Sequence, residues 1–176
     1  MGSKISAASV LGSTISTSEI DDGSVTAAKM SKPLLTARVS TQFDKTNETL
    51  ANVTGLSVVL VAGRTYVISA CLFLQIGAGG AQVTLSGTAT ATAITWEPLV
   101  FFQDQTWGGG PLNRATALGS AFTVMISDTN IGESVWIDGT ITVNAGGTLT
   151  VQYAQNATNV QASSVLVGST LTVQEL

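Results

Sequence analysis

Large apolar residues follow two different patterns along the chain, and the pattern changes near residue 36. In the first part they recur every five positions, while Leu11 and Leu34 lie off this grid. The residues on the grid are Ile5, Val10, Ile15, Ile20, Val25, Met30 and Leu35. An α-helix requires spacings of three and four, and a half-buried strand requires a spacing of two. Residues 1–35 are therefore not predicted to form one continuous helix or strand.

A spacing of five suits an extended arm better than a folded element. Because five is odd, successive apolar residues of one straight strand would face opposite sides of a sheet. Short extended pieces separated by bends would instead return one apolar side chain per pentad to a common surface. One such chain has too little apolar surface to fold alone, so we expect an anchoring or trimerisation arm that packs on other chains. A low-complexity tail without ordered structure is the alternative.

From residue 36 the apolar residues alternate with polar ones, as in strands with one buried face. In "SVWIDGTITV", Val135, Ile137, Ile141 and Val143 share one parity, and Gly139 leaves a gap in the row. "TLTVQYA" and "VLVGSTLTVQEL" alternate in the same way. The candidate strands are 36–43, 56–61, 64–76, 81–86, 90–103, 117–126, 133–143, 147–155 and 163–174.

Glycine-containing turns separate these strands. "LVAGRTY" and "VNAGGTL" predict hairpins whose glycines supply positive φ, and "DTNIGES" predicts another tight connection. No segment after residue 36 has the 3.6-residue apolar stripe of a helix. We therefore predict an all-β, jelly-roll-type sandwich over residues 36–176, preceded by the arm at 1–35.

The surface is polar without being charged. The chain is 44% hydrophobic and 10% charged, against about 25% charged residues in an average domain. Its net charge is −4 and its seven Lys and Arg are scattered, which argues against a nucleic-acid partner. No stretch approaches the roughly 18 apolar residues of a membrane span, and no secretory signal is expected. Such a surface predicts burial against copies of itself or a partner.

Few residues are suited to catalysis. The chain has no histidine and one cysteine, which removes the usual nucleophilic triads and most zinc sites. Cys71 lies within an apolar strand and is expected to be a small core residue. Carboxylate pairs such as Glu97 with Asp104, or Asp128 with Asp138, could hydrolyse a glycosidic bond. Because Asp is favoured in turns, we interpret them as turn or capping residues. We expect no enzymatic activity, cofactor or metal.

One irregular segment carries exposed aromatic candidates. "EPLVFFQDQTWGGGPLNR", residues 97–114, is too long for a hairpin turn, and much of it is predicted to be an extended surface loop. Phe101 and Phe102 could close one end of the sandwich with Trp107 covering them, which is the interpretation we favour. A sugar-stacking platform and a subunit contact are the alternatives.

Two stretches carry a resemblance to a known family. "TLANVTGLSVVLVAGRTYVISACLFLQ" and, at the end, "GTLTVQYAQNATNVQASSVLVGSTLTVQEL" resemble a β-domain of tailed-phage virion proteins. That group includes tail-fibre tips, head fibres and capsid decoration proteins. The match spans roughly residues 38–176, and "SEIDDGSVTAAKM" looks like segments that precede such domains in phage fibres. Residues 78–130 do not align, so no binding residue is carried over.

The resemblance implies a jelly roll of the tumour-necrosis-factor type, assembled as a homotrimer. It also implies a structural bacteriophage protein, either a capsid decoration protein or a short head fibre, made in the host bacterial cytoplasm and placed on the capsid surface. Its partners would be itself and the major capsid protein or another virion protein, without nucleic acid or membrane. The seven arm residues would anchor it, and so short an arm favours the head over a tail fibre.

The alternative function is a receptor- or glycan-binding tip of a tail fibre, contacting a host surface glycan or receptor through the loop at 97–114. A weaker third option is a carbohydrate-active enzyme with an acidic pair.

Overall fold

The computed structural model of the protein describes residues 32–101, 114–125 and 131–176, and every regular element among them is a β-strand. The strands are β1 (Leu34–Arg38), β2 (Phe43–Lys45), β3 (Ala51–Leu60), β4 (Thr65–Ile76), β5 (Ala81–Gly87), β6 (Thr90–Phe101), β7 (Phe122–Met125), β8 (Ile131–Ala145), β9 (Gly147–Ala154), β10 (Ser163–Val165) and β11 (Thr170–Glu175). Leu34–Leu176 form one compact unit, in which β1 begins two residues before the predicted boundary.

The strands form two antiparallel sheets. Sheet A runs β1-β11-β4-β8-β6. β10 pairs with the part of β4 that extends beyond β11, and β2 pairs with the other side of β10. Sheet B runs β3-β9-β5-β7. The chain passes from one sheet to the other between most successive strands, including β3 to β4, β4 to β5 and β8 to β9. This architecture is a jelly-roll-type sandwich, which confirms the predicted fold class.

The predicted alternation places the core correctly. Val135, Ile137, Ile141 and Val143 are buried on the inner face of sheet A, and Leu149 with its alternating neighbours is buried on sheet B. Each fully buried side chain of this kind contributes about 1.5–3 kcal/mol through the hydrophobic effect. Period-two patterning therefore accounts for the packing of the two sheets.

Trp96 fills the gap that Gly139 leaves in the apolar row of β8. The two residues are direct partners in the β6–β8 ladder, and Trp96 is fully buried. A Cβ on Gly139 would lie 2.6 Å from the Trp96 Cβ and 2.5 Å from the Thr95 carbonyl oxygen. The Trp96 ring meets Phe122 of sheet B edge-on, with ring centroids 4.9 Å apart. The close approach of the β6 main chain therefore requires glycine at position 139, and the Trp96 indole joins the two sheets.

The two predicted hairpins are wrong, although both segments do turn. β3 and β4 belong to different sheets, as do β8 and β9. Gly63 has the predicted positive φ, at 73°, but Gly146 and Gly147 do not. A Cβ on Gly147 would lie 2.6 Å from the Ala89 amide nitrogen. Glycine is required there by close packing against the β5–β6 corner rather than by φ.

The predicted strand at 163–174 is two strands, because a turn at Gly168 interrupts it. Gly168 has a φ of 96°, which leaves Val167 more than half exposed although its parity predicts burial. Ser169 is fully buried, and its hydroxyl donates to the Leu166 carbonyl at 2.8 Å while accepting from the Phe73 amide at 3.0 Å. The hydroxyl satisfies backbone groups that the broken ladder leaves open.

Further strand boundaries differ from the prediction, and β7 begins at Phe122 rather than at residue 117. Residues 36–43 are divided between β1 and β2, and β3 begins at Ala51 rather than at residue 56. The pairing of β3 with β9 shifts between Asn52 and Ser57, where Gly55 adopts a φ of 90°. A bulge of this kind lets the strand continue across a glycine that the sequence pattern treats as a break.

One buried polar residue, Gln155, lies in the stretch "VQYAQN", which carries part of the resemblance. Gln155 is fully buried in the connection between β9 and β10. Its side-chain amide donates to the Gln161 carbonyl at 2.6 Å, and its side-chain oxygen accepts from the Asn159 amide at 2.8 Å. The Gln155 backbone amide also donates to the Asn47 carbonyl at 3.0 Å. These bonds hold a polar connection in place without an apolar core.

We predict that Gly139→Asn lowers the free energy of unfolding by about 2 kcal/mol or more, because the added side chain would clash with Trp96. Gly63→Asn is the matched control, since nothing lies within 4 Å of its Cβ position and Asn tolerates its positive φ. We expect the control to change stability by less than about 0.5 kcal/mol. Urea unfolding followed by circular dichroism measures both, and equal losses would contradict the role given to Gly139.

Candidate functional site: the outer face of sheet A

The outer face of sheet A carries apolar side chains that the sandwich does not cover. Phe73, Leu99 and Trp136 are 43%, 37% and 46% exposed, and Cys71 and Phe101 beside them are half-buried. We call these five residues the aromatic patch. Cys71 and Leu99 are the direct partners of Trp136 on its two sides. Phe101 meets the Trp136 ring edge-on, with centroids 6.2 Å apart.

The same alternation that builds the core produces this patch. Trp136 lies between Val135 and Ile137 in β8, so its side chain points away from the core when theirs are buried. Ser134 lies beside Phe73 and Thr170 beside Cys71, whereas the next outward residues after Trp136 and before Leu99 are the charged Asp138 and Glu97. Contiguous exposed apolar surface with a polar rim is typical of protein interfaces.

A cleft of about 420 Å³ adjoins the patch on the same face. Its walls are formed by Val67, Thr95, Glu97, Arg114, Asp138 and Thr140, and its floor by Ile68, Trp96 and Gly139. Ala115 places Arg114 over this cleft, because its amide and carbonyl both bond to the backbone of Trp96, at 2.8 and 3.0 Å. The cleft is therefore formed by the outer face of sheet A together with the Arg114 side chain, which comes from the segment after β6.

The cleft brings together one carboxylate from each of the two predicted acidic pairs. Glu97 and Asp138 are direct cross-strand partners, whereas Asp104 and Asp128 lie outside the described residues. The Arg114 guanidinium donates to Glu97 through Nε at 3.2 Å. Arg114 and Glu97 are both substantially exposed, so the ion pair adds little to stability. Within residues 32–101, 114–125 and 131–176, no group of three or more His, Cys, Asp or Glu side chains could hold a metal ion.

Cys71 is not the core residue that its apolar surroundings predicted. It occupies an outward position of β4 opposite Trp136, and it is half-buried there. Partial burial raises the pKa of the Cys71 thiol, because desolvation disfavours the thiolate. A small apolar side chain at this position completes the patch rather than the core.

The predicted site residues are only partly described. Leu35 lies in β1 and packs half-buried against the core, so its role as an anchor stays a prediction. Phe101 ends β6, so residues 97–101, which belong both to the predicted strand at 90–103 and to the irregular segment, are strand. The remaining predicted residues lie outside the described part of the chain: Ile5, Val10, Ile15, Ile20, Val25, Met30, Phe102 and Trp107.

Trp136 was missed at the sequence level, although its signal is visible. It is a large aromatic residue at a position of β8 where the alternation would otherwise place a polar side chain.

Among the described residues, no helix has the length and apolar character needed to span a membrane.

Comparison with known proteins finds no match by sequence and only distant similarity to solved structures. No protein-family model and no curated protein matches it. The solved structures similar to it include Eiger TNF from S. frugiperda, with a TM-score of 0.41 and 14% identity over 82% of this chain and 93% of that chain. The infectious bursal disease virus VP2 subviral particle gives a TM-score of 0.23 and 13% identity. There the match covers 82% of this chain, which spans 40% of the VP2 chain. Likeness at this level transfers no function.

We predict that iodoacetamide alkylates Cys71 slowly near neutral pH and that the rate rises only above the usual thiol range of about 8.5. The raised pKa of the thiol keeps the unreactive protonated form dominant until that range is passed. Mass spectrometry of the intact chain across a pH series measures the rate, with the urea-unfolded chain as control. A midpoint equal to that of the unfolded chain would show that burial does not act on this thiol.

Proposed function

We propose that the protein is a non-enzymatic structural component of a tailed-phage particle. In this proposal it is a homotrimeric capsid decoration protein or short head fibre, attached through the N-terminal arm and stabilising the shell. A trimer that bridges neighbouring capsid subunits binds the assembled shell better than free subunits, so mass action favours the assembled state. Three linked arms would add avidity.

The place of the two resembling stretches in the fold supports the proposal. Its first stretch forms β3 and β4, and its last stretch forms β9, β10 and β11. These strands include the centres of both sheets, where β4 pairs with β8 and β9 pairs with β3 and β5. The resembling residues are therefore those that build the domain. Residues 78–130, which do not align, include β5, β6 and β7.

The aromatic patch is the observation on which the proposal chiefly rests. In a single chain it leaves Phe73, Leu99 and Trp136 in contact with water. A second copy of the chain is the occupant that we propose, since the patch, with Ser134 and Thr170 beside it, can pack without burying a charge while Asp138 and Glu97 stay at its rim. The resemblance supplies the number of copies, three. A sparsely charged chain, with 10% charged residues, fits a protein whose surface is partly covered in its assembly.

We predict that wild-type protein sediments as a trimer and that Trp136→Asp sediments as a folded monomer, because a carboxylate in the patch cannot be buried unpaired. Val59→Asp is the matched control. Val59 is likewise exposed, but it lies in β3 of sheet B, so this variant should remain trimeric. Sedimentation velocity gives the mass, and circular dichroism reports folding.

Leu99→Asp, on the neighbouring strand, provides a second test if Trp136→Asp fails to fold. The proposed assembly would be contradicted by a monomeric wild type, or by a trimer that survives both patch substitutions.

We predict that deleting residues 1–31 abolishes binding to purified capsids and leaves the trimer intact. The deletion stops before Leu34 and Leu35 because both lie in β1, so the sheet keeps its first strand. Co-sedimentation with DNA-filled and empty capsids measures binding, and the full-length chain is the control.

Loss of folding in the truncated chain would contradict the anchor role of the arm. Binding of the full-length protein to host cells but not to capsids would favour the receptor- or glycan-binding tip of a tail fibre.

A further inference from the structure

The cleft beside the aromatic patch contains polar groups that the fold does not use. The Asp138 carboxylate and the Thr95 and Thr140 hydroxyls form no side-chain hydrogen bond or ion pair with the residues that the structure describes. All three side chains point outward from sheet A around one depression. By contrast, the polar side chains of Ser163 and Gln155 bond to the backbone. Free acceptors and donors facing one cleft are available to a ligand.

The electrostatics of the cleft select against anions. Two carboxylates, Glu97 and Asp138, face it, and Arg114, the one cation among the described residues of its lining, is already paired with Glu97. The net negative charge disfavours phosphate and carboxylate ligands. A metal ion is equally unsuited, since the described residues offer no group of three ligating side chains. A neutral ligand rich in hydroxyl groups fits, because its hydroxyls donate to the carboxylates and also accept from Arg114 and Thr.

The shape and the apolar wall support the same class of ligand. A volume of about 420 Å³ lies within the roughly 300–1,000 Å³ of small-molecule sites. Val67 exposes about two-fifths of its surface in the wall, which offers an apolar contact to the C–H face of a sugar ring. Thr95 and Thr140 are cross-strand neighbours, so their hydroxyls present a paired donor and acceptor next to that contact.

We propose that this cleft binds a neutral saccharide, held by the Asp138 carboxylate, the Thr95 and Thr140 hydroxyls and the Glu97–Arg114 pair. The site adjoins the aromatic patch, with Asp138 two residues after Trp136 and Glu97 two residues before Leu99, and it rests on the proposed assembly leaving this part of sheet A open. It does not require the loop that contains Trp107. A neutral glycan of a cell surface or of another particle would be the natural source of such a ligand.

The test is a titration of the full-length, isotopically labelled protein with four neutral probes, followed by amide chemical shifts. The probes are methyl β-D-glucopyranoside, methyl β-D-galactopyranoside, methyl α-D-mannopyranoside and N-acetyl-D-glucosamine. We expect at least one to shift the amides of Thr95, Asp138 and Thr140 saturably, with a Kd on the order of 1 mM. Inorganic phosphate, N-acetylneuraminic acid and lysine methyl ester serve as the anionic and cationic comparisons.

Two substitutions connect binding to the cleft. Asp138→Asn should weaken the affinity about tenfold, since it removes a charged hydrogen-bond acceptor. Glu175→Gln is its control, because Glu175 forms the Arg64 ion pair and is not part of the cleft lining. Thr140→Tyr should abolish binding by filling the cleft, while Thr172→Tyr, two strands away on sheet A, should not.

The proposal would be overturned by any of three results. These are no saturable shift with any neutral probe, tighter binding of a charged comparison than of the neutral probes, and undiminished binding by Asp138→Asn. Sedimentation of the same samples reports the trimer independently. A failed saccharide site and a failed assembly therefore give different results.

Discussion

The continuous pairing of β4 with β8 determines both faces of sheet A. The two strands remain in register from Thr65 opposite Thr142 to Ile76 opposite Ile131, without a bulge. Because side chains alternate along each strand, this register sends Ile68, Leu72 and Ile137 inward together. The same register sets Cys71 beside Trp136 on the outside. A shift of one residue would exchange the core with the aromatic patch, so burial of the core fixes the position of the outer surface as well.

Close approaches at glycine set how the two sheets are joined. Trp96 occupies the space above Gly139 and reaches Phe122 of sheet B. Gly147 allows the β8–β9 corner to lie against Ala89. These contacts join residues far apart in sequence, and the atoms nearest each missing Cβ are mainly backbone atoms of the neighbouring segment. A Cβ at Gly139 would push β6 away within sheet A, and a Cβ at Gly147 would push the β5–β6 corner away from the crossing into sheet B.

The outer face of sheet A divides into two surfaces of different chemistry. One half carries aromatic and aliphatic side chains among uncharged Ser and Thr, which suits contact between copies of the chain. The other half carries Glu97, Asp138 and Arg114 around a cleft, where burial under a second copy would require desolvating charges. The proposed assembly and the proposed ligand site therefore lie on neighbouring parts of one sheet and involve different side chains. The 97–114 segment contributes to both, through Phe101 in the patch and Arg114 in the cleft.

The sequence by itself determined the all-β class, most strands and the buried parity of β8 and β9. Period-two alternation is a local consequence of strand geometry and needs no knowledge of partners. It did not determine which strands pair, so "LVAGRTY" and "VNAGGTL" were predicted as hairpins although each joins two sheets. Turn residues encode a change of chain direction, whereas the partner of a strand depends on contacts between residues that are far apart in sequence. Only the tertiary structure decided that Trp136 belongs to an exposed patch and that Glu97 faces Asp138 under Arg114. Those neighbours are separated by some 17 to 65 residues, and their meeting depends on strand register, which no local pattern contains.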